Sequence, residues 1–108
     1  PSIRRPRGLI VRFGGFGKQE LNLSYAERSG EEIQGRASYW DPQMQYFVYW
    51  QRSARRWAVC DFASVGAAKS GLAPGWAYKA DSTHFALPGK WMEAWGREWR
   101  PAAPVCTV

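Results

Sequence analysis

The chain has 108 residues, a mass of 12.3 kDa and a formal net charge of +6, which bounds it to one small domain with one modest core. Its longest uncharged run, 42–51, is too short for the about 20 apolar residues a membrane-spanning helix needs. With 45% hydrophobic and 22% charged residues it is not a disordered chain, and 7 Trp, 5 Tyr and 5 Phe against 1 His point away from acid–base chemistry.

Residues 1–8, with two prolines and with Arg4, Arg5 and Arg7, read as a basic extended arm. The chain begins at Pro1, which reads as a processed or trimmed product. From Gly8 the pattern is short and two-fold. Leu9 to Phe13 is a mostly apolar strand closed by Gly14-Gly15-Phe16-Gly17. Glu20 to Glu27 alternates, with Leu21, Leu23 and Tyr25 on one face, and Arg28-Ser29-Gly30 is expected to turn the chain. Asn22-Leu23-Ser24 is a formal glycosylation sequon, but its place inside this predicted strand argues against its use. Glu32 to Trp40 is a third strand stopped by Asp41-Pro42, and Gln45 to Gln51 is a fourth, carried by Tyr46-Phe47-Val48-Tyr49-Trp50. Arg52-Ser53-Ala54-Arg55 makes a hairpin-length connection into Arg56 to Phe62.

Ala63 to Gly75 is a Gly/Ala/Ser loop with room for one helical turn, followed by a strand at Trp76 to Ala80. Trp91, Trp95 and Trp99 recur at intervals of four, which fits a helix face. Gly96 and Pro101 oppose a long helix, so the spacing predicts a strand over 91–95 with a helix as the alternative. Val105 to Val108 reads as a last edge strand. The fold class is all-β: six to seven short antiparallel strands in a small sheet or barrel, with extended N- and C-terminal arms. The expected organisation is a basic arm over 1–8, one all-β domain over 9–100, and a C-terminal arm or edge strand over 101–108.

The central stretch, through Gly35-Arg36-Ala37-Ser38-Tyr39, Tyr46-Phe47-Val48-Tyr49-Trp50, Trp57-Ala58-Val59, Ala77-Tyr78, and Pro88 with Trp91, resembles a small Trp/Tyr-rich all-β module repeated in algal and protist proteins. It departs from that pattern at Gln34-Gly35-Arg36-Ala37, where the module carries Asn-Gly-Arg-Pro. The resemblance covers roughly residues 30–95 and implies an all-β, non-catalytic module, with no ligand and no binding residues attached. A single copy on a short chain suits an accessory subunit of a large assembly. The Ala/Arg/Trp-rich composition suits an organelle complex, such as an extrinsic photosynthetic subunit in the chloroplast, with an extracellular setting as the alternative.

Chemistry is sparsely supplied. Every general-base scheme must pass through His84, with Cys60 as nucleophile or Asp81 as orienter, yet Asp81-Ser82-Thr83-His84 also reads as a polar turn. Cys60, His84 and Cys106 lack the close ligand pair of a structural zinc site, and the two cysteines are as readily free thiols as a disulfide. Gly14-Gly15-Phe16-Gly17 lacks dinucleotide-fingerprint spacing, and Ala67-Ala68-Lys69-Ser70 has alanine where a phosphate loop needs glycine, so no cofactor is expected.

Arginine outnumbers lysine 11 to 4, which favours bidentate and stacking contacts with an acidic partner. Aromatic residues beyond what one core holds imply that some of Tyr39, Trp40, Tyr49, Trp91 and Trp95 face a partner. A sugar site wants asparagine, of which Asn22 is the single copy, and a nucleic-acid surface conflicts with the acidic stretch from Glu20 to Asp41. The reading is therefore a non-catalytic accessory or scaffold subunit docking onto a larger protein complex. The expected contacts are Arg4, Arg5 and Arg7, then Arg52, Arg55 and Arg56, then Trp91, Trp95 and Trp99. A carbohydrate-binding module, then single-strand nucleic-acid binding, are the alternatives.

Overall fold

The computed structural model describes residues 10–70, 75–80, 84–86 and 89–107. Among these, nine strands form one antiparallel sheet: β1 (Ile10–Gly14), β2 (Ser24–Ile33), β3 (Arg36–Trp40), β4 (Tyr46–Gln51), β5 (Arg56–Asp61), β6 (Ala77–Lys79), β7 (Trp91–Trp95), β8 (Glu98–Ala102) and β9 (Val105–Thr107). Their order is β8-β7-β6-β5-β4-β3-β2-β1-β9, a meander whose last strand returns to the first. The all-β class holds, but six to seven strands is an undercount.

Local chemistry explains the boundaries. Between β2 and β3 the turn falls at Gln34-Gly35, both with positive φ (57° and 89°), as a two-residue hairpin link requires. The turn expected at Arg28-Ser29-Gly30 is instead a bulge, where pairing jumps from Arg28↔Ser38 to Glu32↔Ala37 and the strand continues. The start expected at Glu20 is a 3-10 turn over Gln19–Leu21, and Asn22 leaves it with its side-chain amide bonded to the backbone N–H and C=O of Phe16. Buried Asp41 builds the β3–β4 link by accepting from the backbone N–H groups of Gln43, Gln45 and Tyr46 at 3.0, 2.8 and 2.7 Å. After β5, a 3-10 turn and helix α1 (Val65–Lys69) supply the expected helical turn.

Strand β8 is the one that sequence reading omitted. Gly96, at φ 63°, opens the two-residue link to it, the position where a tight hairpin demands glycine. That link makes Trp95 and Glu98 the closing hydrogen-bonded pair, so Trp99 and Pro101 turn their backbone groups away from β7. Pro101 thus sits where its missing N–H costs the ladder nothing and blunts the free edge.

The pairings also show that 98–107 keeps one direction while changing neighbours, from β7 (Trp91↔Ala102) to β1 (Gly14↔Val105). Ala103-Pro104 is the crossing point, and this partner switch curls the sheet back on itself. A groove of about 740 Å³ lies where the strand leaves β7, lined in part by Lys90, Met92, Pro104 and Cys106.

Both sheet faces are covered. The concave side holds Phe13, Phe16, Tyr25, Phe85 and Trp91, with Phe13 meeting Phe16, Tyr25 and Trp91 edge-on at 5.1–5.6 Å. The convex side of β2–β5 buries Ile33, Trp40, Phe47, Tyr49, Ala58 and Cys60 with Ala68 of α1. This resolves the two-sided aromatic pattern of β4, which is a central strand. No described helix is long and apolar enough to cross a membrane.

Candidate functional site

Of the five aromatics from which some were expected to face a partner, four are interior. Tyr39, Trp40, Tyr49 and Trp91 are all buried, Trp91 at 2% exposure between Phe13 and Phe16. Trp91 therefore leaves the set of docking residues: it shares a face of β7 with Trp95 but sits at the strand's inner end against Phe13 and Phe16, whereas Trp95 lies at the hairpin end. Arg4, Arg5 and Arg7 lie outside the described residues. Arg52 and Arg55 are exposed at the β4–β5 tip, whereas Arg56 leaves them. Its Nε donates to Gln51 Oε1 at 2.6 Å, and its guanidinium lies 4.2 Å from the centre of the Tyr78 ring.

What the structure assembles instead is a rim around the β7–β8 hairpin, with Trp95 on the concave side of the sheet and Trp99 on the convex side. Trp76, Trp95 and Trp99 are 40%, 36% and 37% exposed, among the larger apolar exposures of the described chain. Each is held by a different device. Trp76 is pinned through its backbone, its N–H donating to Val59 O at 2.6 Å and its C=O accepting from Ala94 N–H at 2.8 Å. Trp99 stands on the convex face with its ring edge-on to Tyr78 at 4.8 Å, and Arg56 spans both rings. Trp95 lies at the end of β7 beneath Lys18 and Arg100, 4.8 and 5.7 Å from its ring centre. Arg100 also pairs with Glu98 at 3.6 Å. Trp76 and Trp99 flank a depression of about 280 Å³ with Arg97 and Glu98 among its lining residues.

Lys18 reaches this surface because of Glu93. Its carboxylate, 4% exposed, accepts from Gly17 N–H at 3.0 Å through Oε1 and from Lys18 N–H at 3.2 Å through Oε2. A methyl group at Gly17 would stand 2.8 Å from both Glu93 Oε1 and Trp95 Cζ2, so the close approach needs glycine. Lys18 then extends its ammonium over Trp76 at 5.2 Å and Trp95 at 4.8 Å. The sequence held one signal for this: in Trp91-Met92-Glu93-Ala94-Trp95, strand alternation puts an acid on the same face as two tryptophans.

The chemistry-bearing residues do not converge. Cys60 lies on the convex face under α1, where burial pushes its thiol up to about 12, while His84 packs on the concave side against Tyr39, Trp57 and Phe85. Nδ1 of His84 accepts from Ala86 N–H at 3.1 Å, so the neutral ring carries its proton on Nε2 and donates it to the Tyr39 hydroxyl at 2.9 Å. Fully buried Lys79 donates from Nζ to the His84 carbonyl at 2.9 Å. Burial, helped by the Lys79 and Arg36 charges against the opposing pull of Glu27, holds the imidazole below its ordinary value of 6.5. Asp81, the expected orienter, lies outside the described residues. Cys60 and Cys106 are free thiols, and no group of three metal-ligating side chains occurs among the described residues.

No family model matches the chain, and no curated protein or solved structure matches it either.

Proposed function

We propose that this protein is a non-catalytic docking subunit that binds a larger protein assembly through the Trp76–Trp95–Trp99 surface. The observation that carries this reading is the occupation of the exposed rings by the chain's own cations: Lys18 over Trp76 and Trp95, Arg100 over Trp95, and Arg56 toward Trp99. A sugar or a base recognised by stacking wants an open ring face. Here the chain's own cations already lie over the rings, a combination of tryptophan with basic side chains that anchors protein interfaces and suits a partner surface bearing carboxylates. An organelle setting, such as a photosynthetic complex, rests on the chain's composition and on the sequence resemblance alone.

The test is native size in gentle extract. A tagged wild-type chain is expected to migrate with a large assembly, and a W95A/W99A variant is expected to run near its free mass of 12.3 kDa. Wild-type chain running free, or the double variant remaining fully assembled, overturns the reading. A salt titration separates the alternatives, since nucleic-acid binding falls steeply between low and moderate salt and lectin binding does not.

A further inference from the structure

We infer that Trp76 and Trp95 form a cleft for a quaternary ammonium group, and that Lys18 is its built-in occupant. The two indoles share one ammonium: Lys18 Nζ lies within cation–π reach of both ring centres, at 5.2 and 4.8 Å. Two rings facing a single charge form a minimal aromatic cage, and both are more than a third exposed, so the cage opens to solvent. Acidic groups stand at its margin. Glu93 accepts from the backbone of Gly17 and Lys18, and Glu98 is paired with Arg100, whose guanidinium lies 5.7 Å from the Trp95 ring centre.

The lysine is anchored at its root and held loosely at its tip. Glu93 fixes the backbone of Gly17 and Lys18, so vacating the cleft needs only rotation of the four-carbon stem, at the loss of its two ring contacts. A primary ammonium is strongly hydrated and gives up much of that hydration to sit between rings. A group carrying three or four methyls spreads the same charge over an apolar surface and gives up less, which is why aromatic cages select it. Trimethylated lysine and choline share this chemistry. The cleft is thus a latch: closed by Lys18, opened when a quaternary ammonium displaces it. This inference does not rest on the docking reading, because a ligand can enter whether or not the surface also binds an assembly.

The experiment follows tryptophan emission of the purified full chain during titration with choline and with a trimethyllysine peptide. Its controls are the unmethylated peptide and 3,3-dimethylbutanol, the neutral isostere of choline. Wild type, K18A and K18Q are compared, with K18A/W95A as the cleft-deficient control and thermal unfolding as the check on folding. Removing the occupant is expected to tighten binding of the quaternary ligands about 2- to 30-fold over wild type, the range that 0.5–2 kcal/mol implies. K18A/W95A is expected to lose the response, and the neutral isostere is expected to give none. A response to choline alone assigns the cleft to small ligands, and one stronger for the peptide assigns it to a modified protein; both sustain the inference. Equal affinity in wild type, K18A and K18Q, a matching response to the neutral isostere, or no saturable response in folded K18A and K18Q overturns it.

Discussion

Replacing Glu93 with glutamine tests the foundation of the Trp76–Trp95 surface while keeping the shape of the side chain. The carboxylate is 4% exposed and each oxygen accepts one backbone N–H, from Gly17 at 3.0 Å and Lys18 at 3.2 Å. Hydrogen bonds to a charged group contribute about 1.5–3 kcal/mol each. Glutamine retains one acceptor and turns its NH₂ toward the second N–H, so one bond is lost and one buried donor is left facing another donor. Against this, a neutral amide costs less to bury than a carboxylate, which offsets part of the loss. The expected net destabilisation of E93Q is about 2 kcal/mol, which for a domain of this size lowers Tm by about 8–16 °C. Urea unfolding followed by tryptophan emission measures it, with an unchanged m value showing that the folded state keeps its compactness. A change below about 0.5 kcal/mol, or a gain in stability, would refute the claim that Glu93 seats the Gly17–Lys18 segment.

Further outcomes follow from the same geometry. Gly17→Ala places a methyl 2.8 Å from Glu93 and Trp95 and is expected to cost about 1–3 kcal/mol. Double-mutant analysis should show that cost to be non-additive with E93Q. His84 is held below its ordinary 6.5, so the unfolded chain binds the proton first. Stability is then full above about pH 6.5 and falls as pH drops below it; denaturant midpoints between pH 7.5 and 5 should show this fall and lose it in H84N, whose amide oxygen can still accept from Ala86. Arg55 takes a left-handed backbone (φ 54°) in an exposed turn, so R55G is expected to gain about 0.5–1 kcal/mol in the same assay. Replacing Arg52 and Arg55 together with alanine should leave assembly binding intact, whereas R56A should weaken it by unseating Trp99.

The strands from Gln45 through Phe62 were legible because their residue types and their alternation agree. Where local signals conflicted, reading by pattern went astray. Arg28-Ser29-Gly30 looks like a turn, but the strand absorbs it as a bulge because Ile33 beyond it has a core place to fill on the convex face. Pro101 hid β8, since a proline demotes a strand unless its nitrogen faces an open edge, and only the pairing register shows that it does. The exposed aromatic residues were half legible. Trp95 and Trp99 are at the surface, but Trp91, four residues from Trp95 and on the same face of β7, lies deeper and packs against Phe13 and Phe16. Trp76 and Lys18 carried no signal of their own. They meet through Gly17 and Glu93, which stand far apart in sequence and touch only after the sheet has curled.

The partner switch at Ala103-Pro104 also sets the timing of folding. β2 to β7 pair with near neighbours along the chain and can assemble as they are synthesised, but β1 must wait for β9 across nearly the whole sequence. Pairings of such long range are slow to form, because the intervening chain loses its freedom before any contact repays it. Until residues 98–107 have left the ribosome, the edges of β1 and β7 are both bare, and the nascent sheet is most exposed to joining another copy. The last ten residues of the described chain therefore act as a closing clasp, and the interval before they engage is when a chaperone would matter most.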